Sequence, residues 1–200
     1  MTPLERYVGR ILLTAIVLVV ITLGCHLVTA QTTQSRDLQD SVYSAVIRHY
    51  VSGSTKLLLI RGETAPCSFP NSPPDSETAI RFLGTKPDQS LVNLCKESKG
   101  GQTLKEEFDL PYKYTLIKKE SFVEIFRGGI LQGWETLFKR YPEAMEIVRF
   151  SAVAFDGERN RALLYFEEGS GATAGKGKYV FLSKQVNGWE VLAEALIWIV

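Results

Sequence analysis

Two pairs of adjacent carboxylates, Glu106-Glu107 and Glu167-Glu168, are the side chains best suited by type to general acid and base work. Hydrolysis of a glycosidic bond needs two carboxyl groups facing it from opposite sides. Neighbours on a strand point to opposite faces, so Glu167 and Glu168 cannot serve one bond together. Glu167 would need a distant partner, from Glu106, Glu107 or Glu190. One member of the 167–168 pair turned inward at a strand end would have its pKa raised by burial. That combination defines a hydrolase of a cell-envelope polymer, set against ordinary solvation of a strand end.

Other chemistry finds less support. His49 is the only histidine outside the apolar N-terminal segment, and there is no HExxH, HxH or aspartate-rich calcium loop, so no metal site and no cofactor is expected. A Ser-His-Asp arrangement would have to use His49, but no GxSxG is present and its helical phase sets it against the apolar face. The glycine-rich run Ser170–Gly177 resembles a phosphate-cradling loop, but Ser170 stands at the first glycine position and Gly177 follows the lysine where Ser or Thr is required. It leads into a strand, so it reads as a flexible hairpin loop with Lys176 and Lys178 at its base. Trp134, Phe138, Tyr141, Trp189 and Trp198 fall in phase with faces that must be buried, which makes them core before they are a stacking platform. No catalytic residue is assigned.

The elements that must position these residues begin with a leader. Arg6 and Arg10 precede the apolar run Ile11–Cys25, and Val28-Thr29-Ala30 is a small-residue cleavage pattern before Gln31. Residues 1–30 are therefore a cleaved signal peptide or a retained membrane anchor, because extension through Val28 gives a run just long enough to span a bilayer. Gly24-Cys25 adds a lipoprotein route. Residues 31–36 form a short polar tether and 37–200 a single domain. Outside the leader the cysteines are Cys67 and Cys95, a possible disulfide around a Pro- and Ser-rich loop in an oxidising compartment, against the alternative of two separate thiols.

Within 37–200, Leu38, Val42, Ala45, Val46 and His49 mark one helix face, ended by Gly53. Lys56–Ile60 and Tyr112–Leu116 are strand-like. Residues 62–76 carry Pro66, Pro70, Pro73 and Pro74 and form the longest irregular segment. Short helices are expected over 77–83, over 88–96 with Asp88 as N-cap, from Ser121 through Phe126, and over 133–141. Strands over 146–155, 161–166, 178–184 and 189–199, the last two joined at Asn187-Gly188, predict a C-terminal four-stranded antiparallel meander covered by helices on one side. The fold class is α+β.

Composition bounds the partners. With 23 Lys and Arg against 22 Asp and Glu the net charge is +1, without the basic excess of a nucleic-acid binder. Loss of the leader removes Arg6, Arg10 and Glu5 and leaves no net charge.

Gly133-Trp134, Phe138-Lys139-Arg140-Tyr141-Pro142, Phe150 to Phe155, Ala162 to Tyr165, Gly175 to Tyr179, Leu182-Ser183-Lys184 and Gly188-Trp189 form a pattern. It resembles an uncharacterised family of bacterial exported or membrane-anchored proteins with a "gW..F..rYP" segment and a C-terminal antiparallel sheet. The resemblance spans roughly Asp37 to Trp198 and is distinctive in the C-terminal half. Members often carry cysteines flanking the glycine loop, where this chain has Ala172 and Ala174. The resemblance implies export and a bacterial setting, and transfers no catalytic residue. The expected function is an extracytoplasmic binding or structural module, non-enzymatic, that meets an envelope component, a protein partner or a small ligand. Membrane association would run through the N-terminus if it is uncleaved.

Overall fold

The computed structural model describes residues 37–51, 53, 55–67, 83–85, 87–105 and 107–200. The leader, its cleavage site, the tether and most of the helix expected over 77–83 lie outside the described residues. Residues Gln39–Val200 make one compact unit.

Helix α1 covers residues 37–50. Strands follow at β1 (Leu57–Arg61) and β2 (Leu83–Gly84), then helix α2 (Gln89–Glu97), β3 (Lys113–Ile117), α3 (Lys119–Ile125) and α4 (Ile130–Arg140). The chain finishes with β4 (Ala144–Phe150), β5 (Ala154–Phe155), β6 (Arg161–Gly171), β7 (Ala174–Gln185) and β8 (Gly188–Ile199). The strands build one sheet in the order β2-β8-β7-β6-β4-β1-β3, with β5 pairing β6.

The protein is α+β, but the sheet is mixed and larger than the predicted four-stranded antiparallel meander. β4, β6, β7 and β8 pair antiparallel, whereas β1 runs parallel to both β3 and β4. The cause is a crossover: the chain leaves β3, passes through α3 and α4, and returns as β4 on the other side of β1. A parallel return of this kind carries its helices across one face of the sheet.

Helices therefore cover both faces, not one. Alternate residues on a strand point to opposite sides. Ala162, Leu164 and Phe166 of β6 pack with Val42, Val46 and Ile47 of α1. Leu163 and Tyr165 pack with Leu91 and Cys95 of α2. On that second face, Leu59 and Ile147 meet Ile125 and Leu137 of α3 and α4. The α1 face is the larger core. Residues Val42 to Ile47 are all buried, a continuous run that a helix shows when it is sunk between other elements. His49 departs from the predicted apolar phase. It is exposed beyond that run, edge-on to Tyr50.

The strand predicted over 146–155 is interrupted. The Ser151 hydroxyl accepts from Tyr165 N and donates to Ala152 O, while Ser151 O accepts from Tyr43 OH at 2.9 Å. Those bonds fill the break between β4 and β5, where Ser151 N still donates to Tyr165 O of β6 at 2.8 Å. Asp88 is the N-cap of α2 by position but makes no capping bond; its carboxylate pairs with Arg161 at 3.4 Å. α3 starts at Lys119, two residues before the predicted Ser121 cap.

Cys67 and Cys95 form a disulfide, with Cα atoms 5.4 Å apart, that joins the segment after β1 to α2. Both half-cystines are buried, and Tyr179 OH donates to Cys67 O at 2.6 Å. Such bonds persist in oxidising compartments.

Candidate functional site

Of the predicted carboxylate partners, Glu107 and Glu190 are not brought to Glu167. Glu167 lies on the α2, α3 and α4 face of β6. Glu107 is in the loop whose neighbour Phe108 packs on Tyr43 over the opposite face, and it contacts Lys105 at 3.9 Å. Glu190 stands opposite Ser183, which stands opposite Arg161 at the far end of β6. At the rise of a strand that is about 20 Å from Glu167. Glu106 lies outside the described residues. Glu168, as its parity requires, points to the α1 face and contacts Lys176 at 2.5 Å.

What surrounds Glu167 is a row of side chains running across five strands. The register Ile60↔Val148 sets Arg61 of β1 beside Arg149 of β4, and the ladder continues Arg149↔Glu167, Glu167↔Gly177 and Gly177↔Trp198. Paired residues share a face, so Arg61, Arg149, Glu167 and Trp198 line up on one side. The row lies between the core under α2 and the core under α3 and α4.

Each member is placed for a physical reason. Arg61 ends β1 in phase with Leu57 and Leu59, and its guanidinium carbon sits 3.4 Å from the centroid of the Phe122 ring of α3. Burial, and next the charge of Arg149, pull Arg61 down to about 10, against the opposing influence of Glu63 and Glu167. It remains a cation at neutral pH. Its nearest carboxylate oxygen is Glu63 Oε1 at 3.8 Å; Glu63 is also approached by Lys119 Nζ at 3.5 Å. Arg149 Nη1 is 4.0 Å from Glu167 Oε2. The other oxygen of Glu167 accepts from Tyr165 OH at 3.0 Å, and Tyr165 OH accepts in turn from Trp198 Nε1 at 2.6 Å. Burial, then the Glu167 charge, hold the Tyr165 phenol protonated well beyond neutral pH.

The glycines of 169–177 supply the space. They lie in the predicted hairpin, but the strands run on through them until Gly171 pairs with Ala174, so most of the expected loop is strand. A Cβ at Gly169 would stand 3.2 Å from the Trp134 ring, and one at Gly177 would collide with Trp198 Nε1 and Tyr165 OH. The bare backbone is where two tryptophans settle on the sheet. Gly177→Ala is therefore expected to destabilise the fold by about 2 kcal/mol, the usual cost of overpacking. A urea melt reads it, and a midpoint equal to that of the wild type would show that Trp198 does not pack there.

Trp134, Trp189 and Trp198, predicted as core, are all half-buried, at its margins. Among the described residues no group of three or more His, Cys, Asp or Glu side chains is placed to hold a metal ion, and no helix is long and apolar enough to cross a membrane. No family model, curated protein or solved structure matches this chain.

A second polar cluster occupies the α1 face. Lys178, almost fully buried, donates to Glu194 at 3.1 Å and lies 3.8 Å from the centroid of the Tyr50 ring, while Tyr50 OH donates to Glu194 at 2.5 Å. Thr55 donates to Glu146 at 3.1 Å, and burial raises the Glu146 carboxyl above its ordinary range. Tyr50, Lys178 and Glu194 satisfy one another and tie the end of α1 to β7 and β8.

Arg61 and Arg149 were not singled out by sequence reasoning. The available signal was phase: each is a charge at a position where the strand alternation calls for an apolar residue.

Proposed function

We propose that the protein is a non-enzymatic extracytoplasmic binding module, exported by its N-terminal segment. It is released if that segment is cleaved after Ala30, and anchored to the membrane otherwise. The observation that carries this reading is the state of Glu167. The best-placed candidate acid is held by Tyr165 and stands between Arg149 and Gly177 in the ladder, so that among the described residues no second carboxylate is paired with it across the sheet. Such a surface is suited to holding a ligand, because half-buried arginines and tryptophans combine directional donors with apolar walls. The buried disulfide agrees with an oxidising location.

The test is co-sedimentation of the purified protein with isolated bacterial envelope material, with the supernatant assayed for released fragments. Retention without fragment release is expected. Fragment release that Glu167→Gln abolishes would replace the module by a hydrolase.

A further inference from the structure

We propose that Arg61 and Arg149 together recognise an oxyanion, a carboxylate or phosphate group carried by the ligand; the inference rests on the binding-module reading and names the chemistry of its site. Like charges set side by side across adjacent strands repel. Here two guanidinium groups share one row, both largely buried, with side-chain exposures of 13% and 27%. An arrangement of that kind is stabilised when an anion bridges the two cations.

The protein's own carboxylates do not fill that role. Nε of Arg61 and Nε of Arg149 are both buried without a hydrogen-bond partner. The approaches of Glu63 at 3.8 Å and Glu167 at 4.0 Å are ion-pair distances, longer than hydrogen bonds. Glu167 is kept from closing on Arg149 because Tyr165 holds its other oxygen, and Tyr165 is itself fixed by Trp198. With Lys119 the group contains three cations against two carboxylates.

The donors are also oriented in advance. Stacking on Phe122 fixes the plane of Arg61, and a planar guanidinium loses little freedom when it binds a carboxylate or phosphate. Charge-assisted hydrogen bonds to a half-buried site are stronger than neutral ones. Trp134 and Trp198, seated over Gly169 and Gly177 further along the same face, offer aromatic surface to the body of a ligand whose anionic group rests on the arginines.

The experiment is calorimetric titration of the purified protein at low ionic strength with two probes, inorganic phosphate and galacturonate. Saturable binding of at least one probe at a single site is expected, and the preferred probe tells a phosphate-bearing ligand from a carboxylate-bearing one. Arg149→Gln is expected to weaken that binding about tenfold or more, the usual scale of a lost charged hydrogen bond. Glu167→Gln is expected to tighten it, since a competitor for Arg149 is gone; a variant that merely damaged the fold could not bind better. Lys184→Gln, at the far end of β7, is the control for bulk charge and is expected to leave affinity unchanged. No saturable binding of either probe, or an Arg149→Gln protein that binds as the wild type does, would overturn the proposal. If Arg149→Gln is still retained on envelope material, the module stands and the oxyanion role falls. If the wild type binds phosphate but is not retained, the oxyanion site stands and the envelope reading falls.

Discussion

Replacing Cys67 and Cys95 together by alanine is expected to lower stability by about 3.5 kcal/mol and the melting temperature by roughly 10 °C. The bond spans 28 residues of sequence, and the entropy of closing a loop of that length in the unfolded chain sets the size of the effect. Alanine is the appropriate substitute because both positions are buried, where a serine hydroxyl would add its own desolvation cost. The loss falls on one place. α2 reaches the sheet through Leu91 and Cys95, so the uncrosslinked protein should show faster amide exchange in α2 before β6 and β7. Urea melts of the wild type and the double variant read the first expectation. A difference below about 1 kcal/mol would mean that the segment after β1 is already ordered in the unfolded ensemble.

Breaking the Lys178–Glu194 contact from the acidic side is expected to cost about 2–3 kcal/mol, whereas breaking it from the basic side costs under about 1 kcal/mol. The asymmetry follows from exposure. The Lys178 side chain is 6% exposed and Glu194 36%, so Glu194→Ala strands a buried ammonium beside the Tyr50 ring, while Lys178→Met leaves a carboxylate that water reaches. Solvent at Glu194 screens the pair, which is why the first figure is set below that of a fully buried one. Equal losses in the two variants would contradict the account.

The same contact gives a pH dependence with a definite sign. Desolvation is the strongest single influence on Glu194 and pulls it upward, but the hydrogen bonds from Tyr50 and Lys178, with the charges of Lys178 and His49, outweigh it and leave the carboxyl below 4.5. A depressed carboxyl contributes stability that is present above its unfolded value and lost as pH falls through the folded one. Stability from this group is therefore retained above pH 4.5 and declines below it. Glu146, raised above 4.5 mainly by burial, acts in the opposite direction: its contribution is present below 4.5 and lost as pH rises through its folded value. Glu194→Gln should flatten the loss of stability below pH 4.5, and Glu146→Gln should remove a loss of stability that sets in as pH rises above 4.5, both read from urea melts across the pH range.

Strands and helices were largely legible in the sequence because their periods are local. The alternation of Tyr112, Tyr114 and Leu116 announces β3, and the spacing of Trp134, Leu137 and Phe138 announces α4. Strand direction was not legible, since whether β1 runs parallel or antiparallel to β4 is decided by a crossover some 80 residues long, not by β1 itself. How far the strands run into the 169–177 hairpin was not legible for a related reason. Its glycines look like a loop until Trp134 and Trp198, distant in sequence, are found resting on them.

The candidate site was less legible still. Arg61, Arg149 and Glu167 come from three separate segments, and only the register of β1, β4 and β6 places them in one row. Sequence spacing drew attention to Glu167 as an acid seeking a partner. Its neighbour across the ladder is an arginine, the pairing on which the proposed recognition of an anion rests.

Proton–nitrogen correlation spectra of the arginine Nε–Hε groups, recorded with and without the anionic probe and assigned through Arg61→Gln and Arg149→Gln, read whether the two proposed guanidinium groups hold one anion between them. The Nε–Hε resonances of Arg61 and Arg149 are expected to move together and saturate with the same dissociation constant, because one anion held by both guanidinium groups changes the surroundings of each Nε–H. Resonances of both that stay in place while exposed arginines such as Arg48 and Arg140 shift would contradict the account.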